Sequence, residues 1–299
     1  MKILHYSLGL PPYRSGGLTK YMLDLMEEQV SQNEEVFLLY PGKIKIFDKN
    51  VNIVKNKEYK GIKVYEIINP LPVSLLDGIK DIKAYTKKIE RKIYEKFLNE
   101  IQPDVRHIHS LMGIHEEFFQ IAKKMKIKIV FTSHDYFGIC PRSKFCNYKN
   151  EVCQKYSNQD CSICCKNALS NKKILIMQSH IYKKLKDSFI VKKIRKREKE
   201  NRTFDDDTEV QIIDYKSLMD YYKKIFSYFD VFIFNSELAK KKYIENLDIN
   251  NYTVIPITHK NIQDRRVEKQ YNSENLKIGF MSPQIEEKGY SILLEVLDN

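Results

Sequence analysis

The stretch KILHYSLGLPPYRSGGLTKYMLDL, Lys2 to Leu25, decides the fold. Its start, KILHYSL, reads as a buried strand and PPYRSGG as a loop; from about Leu18 to Ser31 the chain reads as an amphipathic helix with Leu18, Met22, Leu25 and Met26 on one face. EVFLLYP, Glu35 to Pro41, follows as a second strand. Strand, glycine-containing loop, helix and strand in that order open a parallel α/β sheet. The pair Gly16 and Gly17 lies where backbone N–H groups at the positive end of the helix can approach an anion, with a plain tight turn as the other reading.

Working outward, GIKVYEI (Gly61 to Ile67), DVRHIHS (Asp104 to Ser110), KIVFTSH (Lys128 to His134), DVFIFNS (Asp230 to Ser236) and YTVIP read as further strands. Helices are expected from about Ser74 to Glu100, from Glu116 to Met125, from Lys172 to about Arg202, from about Tyr215 to Phe229, and over SELAKKKYIENL. Asn261 to Asn275 is polar and aperiodic, as a linker is. LKIGFMSP then reads as a new strand and EEKGYSILLEVL as the start of a helix. The expectation is a Rossmann-like doubly wound parallel α/β sheet over residues 1–260, holding a cysteine-rich insertion at 136–170 and a basic helix at 171–202. A linker at 261–275 leads to residues 276–299, a short remnant of a second domain, too short to bury a core alone.

The chain has 299 residues and 42% hydrophobic content, enough for a buried core, which excludes a disordered protein. No signal-peptide pattern and no run of about 18 apolar residues occurs, so the expected compartment is the cytoplasm. The net charge of +12 points to an anionic partner. Residues 166–202 concentrate it, with 13 Lys and Arg against 3 Asp and Glu. That segment is expected to face an anionic membrane surface on the inner side of the cell membrane, or simply to be a solvated helix face.

All six cysteines fall between Cys140 and Cys165. Cys161 and Cys164 form the C-x-x-C knuckle of a tetrahedral zinc site. Structural metal, unpaired thiols and disulfides all stay open, and the last is disfavoured by the compartment. The segment has little apolar material, with Phe145, Val152 and Ile163 its candidates for a core.

SGGLTKYMLDL, QPDVRHIHSLMG, FTSHDYFGICPR, DVFIFNSELAKKKY, YTVIP and IGFMSPQIEEKGYSILLEVL occur in one order along nearly the whole chain. Together they resemble the family 4 retaining glycosyltransferases of the GT-B fold. The resemblance implies two Rossmann-like domains across a cleft, a nucleotide-sugar donor, an acceptor held mainly by the first domain, and no catalytic metal. It implies that Gly16 and Gly17 approach the donor diphosphate, with Lys288 reaching it from the second domain. His134 is similar to the family histidine beside the reacting sugar, with Asp135 orienting it. His109, and Arg142 for an anionic lipid-linked acceptor, fall on the acceptor side. A cysteine-containing subset of the family is similar here and selects Cys140, Cys153, Cys161 and Cys164 as ligands of a structural zinc, leaving Cys146 and Cys165 over. Ser282 and Pro283 stand where the family has a glycine-arginine pair, and the paired glutamates of its second domain are absent from this chain.

The function expected is transfer of a sugar to a surface polysaccharide or lipid-linked glycan, by this chain or with this chain as the acceptor-binding portion. A split half serving as a binding module for a separate donor domain is the alternative. A zinc-dependent nucleic-acid-binding protein is disfavoured, because such modules need no doubly wound sheet.

Overall fold

The computed structural model describes residues 1–45, 47–74, 78–149, 151–153, 156–179, 182, 185, 188, 210–268, 278–282, 284 and 288–298. Its elements run β1 (Lys2–Tyr6), α1 (Gly17–Ser31), β2 (Glu35–Pro41), β3 (Asn52–Lys55), β4 (Lys63–Ile68), α2 (Ile82–Tyr85), α3 (Lys92–Ile101), β5 (Val105–Ile108), α4 (Glu116–Lys124) and β6 (Lys128–Thr132). After these come α5 (Asn158–Cys164), α6 (Asn171–Gln178), α7 (Tyr215–Phe226), β7 (Val231–Phe234), α8 (Glu237–Ile244), β8 (Tyr252–Val254) and α9 (Tyr290–Asp298).

The strands form one eight-stranded sheet in the order β3-β4-β2-β1-β5-β6-β7-β8. Only the β3–β4 pair is antiparallel. The chain steps outward from β1 through β2 to β4, then returns to lay β5 on the other side of β1. Strand order therefore reverses between β1 and β5, and the crevice beyond their carboxyl ends is where open α/β sheets take ligands.

Both faces are covered, which is why β1 and β2 are nearly continuous apolar runs rather than alternating ones. On one face Met22, Leu23 and Met26 of α1 pack on Val36, Leu38 and Val64. The larger core lies on the other face, where Leu4, Tyr6, Tyr94, Phe118, Phe119 and Phe226 meet. His5 is in register with Leu38 on one side and His107 on the other, so both histidines belong to the α1 face.

The structure corrects several sequence expectations. The helix expected from Ser74 to Glu100 is broken into α2 and α3. Ile79 and Tyr85 sink into the larger core, Tyr215 donates its hydroxyl to the Ile79 carbonyl, and Gly78 turns beside Cys165 with φ +103°. Those tertiary contacts override helical periodicity. The helix expected from Lys172 ends at Gln178, because Ser179 is extended and bridges to Ile44. Most of the basic segment beyond it, and Pro283, lie outside the described residues. Val152 is exposed rather than a core residue. Of the strand expected at LKIGFMSP, residues 278–282 are described and carry no strand pairing. No residue of α9 is buried.

Candidate functional site

The loop after β1 ends in Gly16, which caps α1 with φ +116°, a left-handed conformation that glycine alone adopts without strain. A Cβ built at Gly16 or at Gly17 would meet nothing within 4 Å. Packing therefore does not demand the second glycine, and the bare backbone faces open space at the helix's positive end. Arg14 of the same loop is half-buried, and burial pulls its guanidinium below its usual ionisation range.

Behind this loop the ends of β1, β5 and β6 bring histidines together. His5 Nε2 lies 2.7 Å from Gln29 Oε1 of α1. His5 Nδ1 lies 3.0 Å from His109 Nε2, and His109 Nδ1 lies 3.3 Å from His134 Nε2. The His107 ring packs 4.2 Å from that of His109, and its Nε2 meets Thr132 Oγ1 at 2.7 Å. Tyr21 of α1 covers the outer end, its ring 5.1 Å from that of His134. Burial holds His5 and His134 at about 4 and drives His107 and His109 well below the ordinary histidine value. All four rings are therefore neutral near pH 7. His134 Nδ1 is buried with no hydrogen-bond partner.

His109 and His134 are thus brought together beside the glycine loop. Asp135 is adjacent in sequence but does not orient the imidazole: its carboxylate accepts from the Phe137 N–H at 2.9 Å, and burial raises it to about 6. Tyr243 donates to the Asp135 carbonyl at 2.8 Å, so the residue anchors the turn after β6. Lys288 is exposed just before α9, and among the described residues no hydrogen bond or ion pair joins it to the other site residues. His5, Gln29 and Tyr21 were missed by sequence reasoning. Only the parity of HIH with a histidine on the first strand hinted at the first of them.

Cys140, Cys153, Cys161 and Cys164 line one cavity of about 260 Å³ together with Arg142. Arg142 Nη1 lies 3.4 Å from Cys164 Sγ and 3.4 Å from the Cys146 carbonyl. Among the described residues no disulfide joins the cysteines. Burial raises Cys140, Cys153 and Cys161 and pushes Cys165 up to about 12, so the thiols pack as small apolar groups. Among the described residues the three-ligand group with donor atoms within 4.8 Å of one another is His5, His107 and His109, and the cysteines form none. The expected four-sulfur set shares a cavity but is not closed around a point. The loop is held by Cys161 and Cys165 in the core and by Ser162 Oγ, which accepts from the Ile213 N–H at 2.9 Å.

No family model matches the chain. An uncharacterized 42.6 kDa protein in the cps region of Klebsiella pneumoniae is 30% identical over 152 residues, 46% of this chain and 37% of that protein. Among solved structures, a trehalose-6-phosphate synthase aligns at 12% identity over 86% of this chain and 49% of its own, with a TM-score of 0.41. The catalytic domain of Arabidopsis thaliana starch synthase IV, bound to ADP and acarbose, aligns at 14% identity over 45% and 34% with a TM-score of 0.28. The chain thus spans half or less of the length of these proteins. Likeness at this level assigns no chemistry. Among the described residues no helix is long and apolar enough to cross a membrane.

Proposed function

We propose that the chain is the acceptor-side domain of a retaining glycosyltransferase, which moves a sugar from a nucleotide-sugar donor to a surface polysaccharide or lipid-linked glycan. The observation that carries this reading is the convergence of an open glycine loop with His109 and His134 at the point where strand order reverses. The sequence motifs in SGGLTKYMLDL, HIHS and SHDY support it. In the reaction the anomeric carbon–oxygen bond to the diphosphate breaks and the acceptor hydroxyl oxygen bonds that carbon on the same face. The hydroxyl proton passes to the departing diphosphate.

In this reading Gly16 and Gly17 bring backbone N–H groups to the diphosphate, His134 lies against the sugar, and His109 supports it from the acceptor side. Arg142, which lines the cysteine cavity, meets an anionic lipid-diphosphate acceptor, and Lys288 serves the diphosphate from a second domain. In this reading Cys140, Cys153, Cys161 and Cys164, which line one cavity with Cys146 and Cys165 but are not closed around a point, would draw together on a structural zinc. Metal analysis is then expected to find close to one zinc per chain; none, with six titratable thiols, contradicts it. The protein works in the cytoplasm against the membrane surface where lipid-linked glycans lie, the basic segment 171–202 supplying the attachment.

Calorimetric titration tests the division of labour. The chain is expected to bind a short polyprenyl-diphosphate sugar, with Arg142→Ala weakening it about tenfold, and to bind nucleotide sugars weakly or not at all. Tight nucleotide-sugar binding with no acceptor binding would move the donor site into this domain.

A further inference from the structure

Three histidines and one glutamine form an unbroken hydrogen-bonded line from α1 to the turn after β6, and its chemistry has a direction. The Gln29 Oε1 at 2.7 Å can only accept, so His5 carries its proton on Nε2. A neutral imidazole has one N–H, which leaves His5 Nδ1 as a lone pair. It must accept from His109 Nε2–H across 3.0 Å. By the same step His109 Nδ1 accepts from His134 Nε2–H across 3.3 Å. The remaining nitrogen, His134 Nδ1, is then an unprotonated acceptor, and it is the one ring nitrogen of this line that meets no protein group.

We propose that Gln29, His5 and His109 are positioning residues that lock His134 in its Nε2–H tautomer and leave its buried Nδ1 an unprotonated hydrogen-bond acceptor. A buried lone pair of this kind is matched by a group that donates, such as a hydroxyl, and not by a phosphate or carboxylate oxygen, which would place lone pair against lone pair. This choice of group rests on the sugar-handling reading given above; the tautomer does not. A rival use of the same residues is metal binding, since the donor atoms of His5, His107 and His109 lie within 4.8 Å of one another. Against that use, His5 Nδ1 and His109 Nε2 engage one another at 3.0 Å.

The neutrality that the line requires follows from burial, which keeps each ring unprotonated near pH 7. Tyr21 packs beside the line, its ring 6.0 Å from that of His109 and 5.1 Å from that of His134.

Nitrogen-15 spectroscopy of the full chain with labelled histidine reads the tautomers directly, with His134→Gln used to assign the His134 signals. The expected result is a His134 Nδ1 signal typical of an unprotonated ring nitrogen and an Nε2 signal typical of an N–H. A glutamate at position 29 can only accept, so Gln29→Glu is expected to keep that pattern. Gln29→Leu removes the anchor and is expected to give mixed tautomers at His5, His109 and His134. A protonated Nδ1 in the wild-type chain overturns the proposal, and so does a Gln29→Leu pattern identical to wild type. Stoichiometric bound metal at these histidines overturns it as well. If Gln29→Leu does not fold, the wild-type and Gln29→Glu spectra still decide the direction. Correct tautomers in a chain that binds no sugar leave the relay standing and remove the glycosyltransferase reading.

Discussion

Arg106 shows how far a single residue can depart from what its strand wants. It sits on β5 with its side chain on the larger-core face, fully buried, and among the described residues none of Nε, Nη1 and Nη2 has a hydrogen-bond partner. The Phe118 ring, 5.1 Å away, gives it a cation–π contact, and burial lowers its ionisation to about 9. An unpaired buried guanidinium costs more than such a contact returns. Arg106→Met is therefore expected to raise stability by about 1–2 kcal/mol in urea denaturation, while a loss of stability would mean that the guanidinium is held by a group not seen in the fold. The histidine line is the opposite case. His5 and His109 are 104 residues apart, and only the parallel register of β1 with β5 joins them. The sequence therefore shows HIH and SHD as separate motifs and cannot show the bond between a first-strand imidazole and the fifth strand.

Elements with a long periodic run were readable, and those shaped by tertiary contact were not. EVFLLYP matches β2 from Glu35 to Pro41 because continuous apolar runs suit a strand covered on both faces. NIVK, the antiparallel edge strand β3, has only two apolar residues and offers no pattern to read. The segment from Ser74 to Glu100 has helical spacing, yet its early part is spent closing the cysteine loop. Gly78 carries that closure: φ is +103° and a Cβ there would lie 2.5 Å from Cys165 Sγ. Gly78→Ala is expected to cost about 1–3 kcal/mol and to expose Cys165 to thiol reagents faster than in the wild-type chain. Unchanged thiol reactivity would show that the loop does not depend on this turn.

At the scale of the molecule, acid stability follows from the buried imidazoles. His5 and His134 are lowered to about 4 and His115 to about 3, while His107 and His109 are lowered further than their ordinary range. The unfolded chain takes up protons on these rings below about pH 6.5, whereas the folded chain does not. Stability is thus complete above that pH and is lost as pH falls from about 6.5 toward about 4. Asp135 acts in the other sense, since its raised carboxyl, at about 6, keeps a proton that the unfolded chain has released, and its contribution fades as pH rises through 6. The raised carboxyls of Asp135 and Glu117 oppose five imidazoles, so the urea midpoint is expected to be lower at about pH 5 than at about pH 7.5. Equal midpoints would mean that the histidines are charged or solvated in the fold.

The doubly wound sheet was legible from the first strand, loop and helix. The reversal of strand order between β1 and β5, which places the site, required the pairing itself. The proposed function requires that a glycan be held there. Photocrosslinking with a diazirine-bearing polyprenyl-diphosphate sugar, followed by peptide mapping, measures this without any need for turnover. The expected adducts fall in the glycine loop, the segment after β5 around His109, and the turn from His134 to Arg142. They are lost in His134→Ala while thermal unfolding stays cooperative. Adducts confined to other surfaces, or none above the level of an anionic lipid without a sugar, would contradict the assignment.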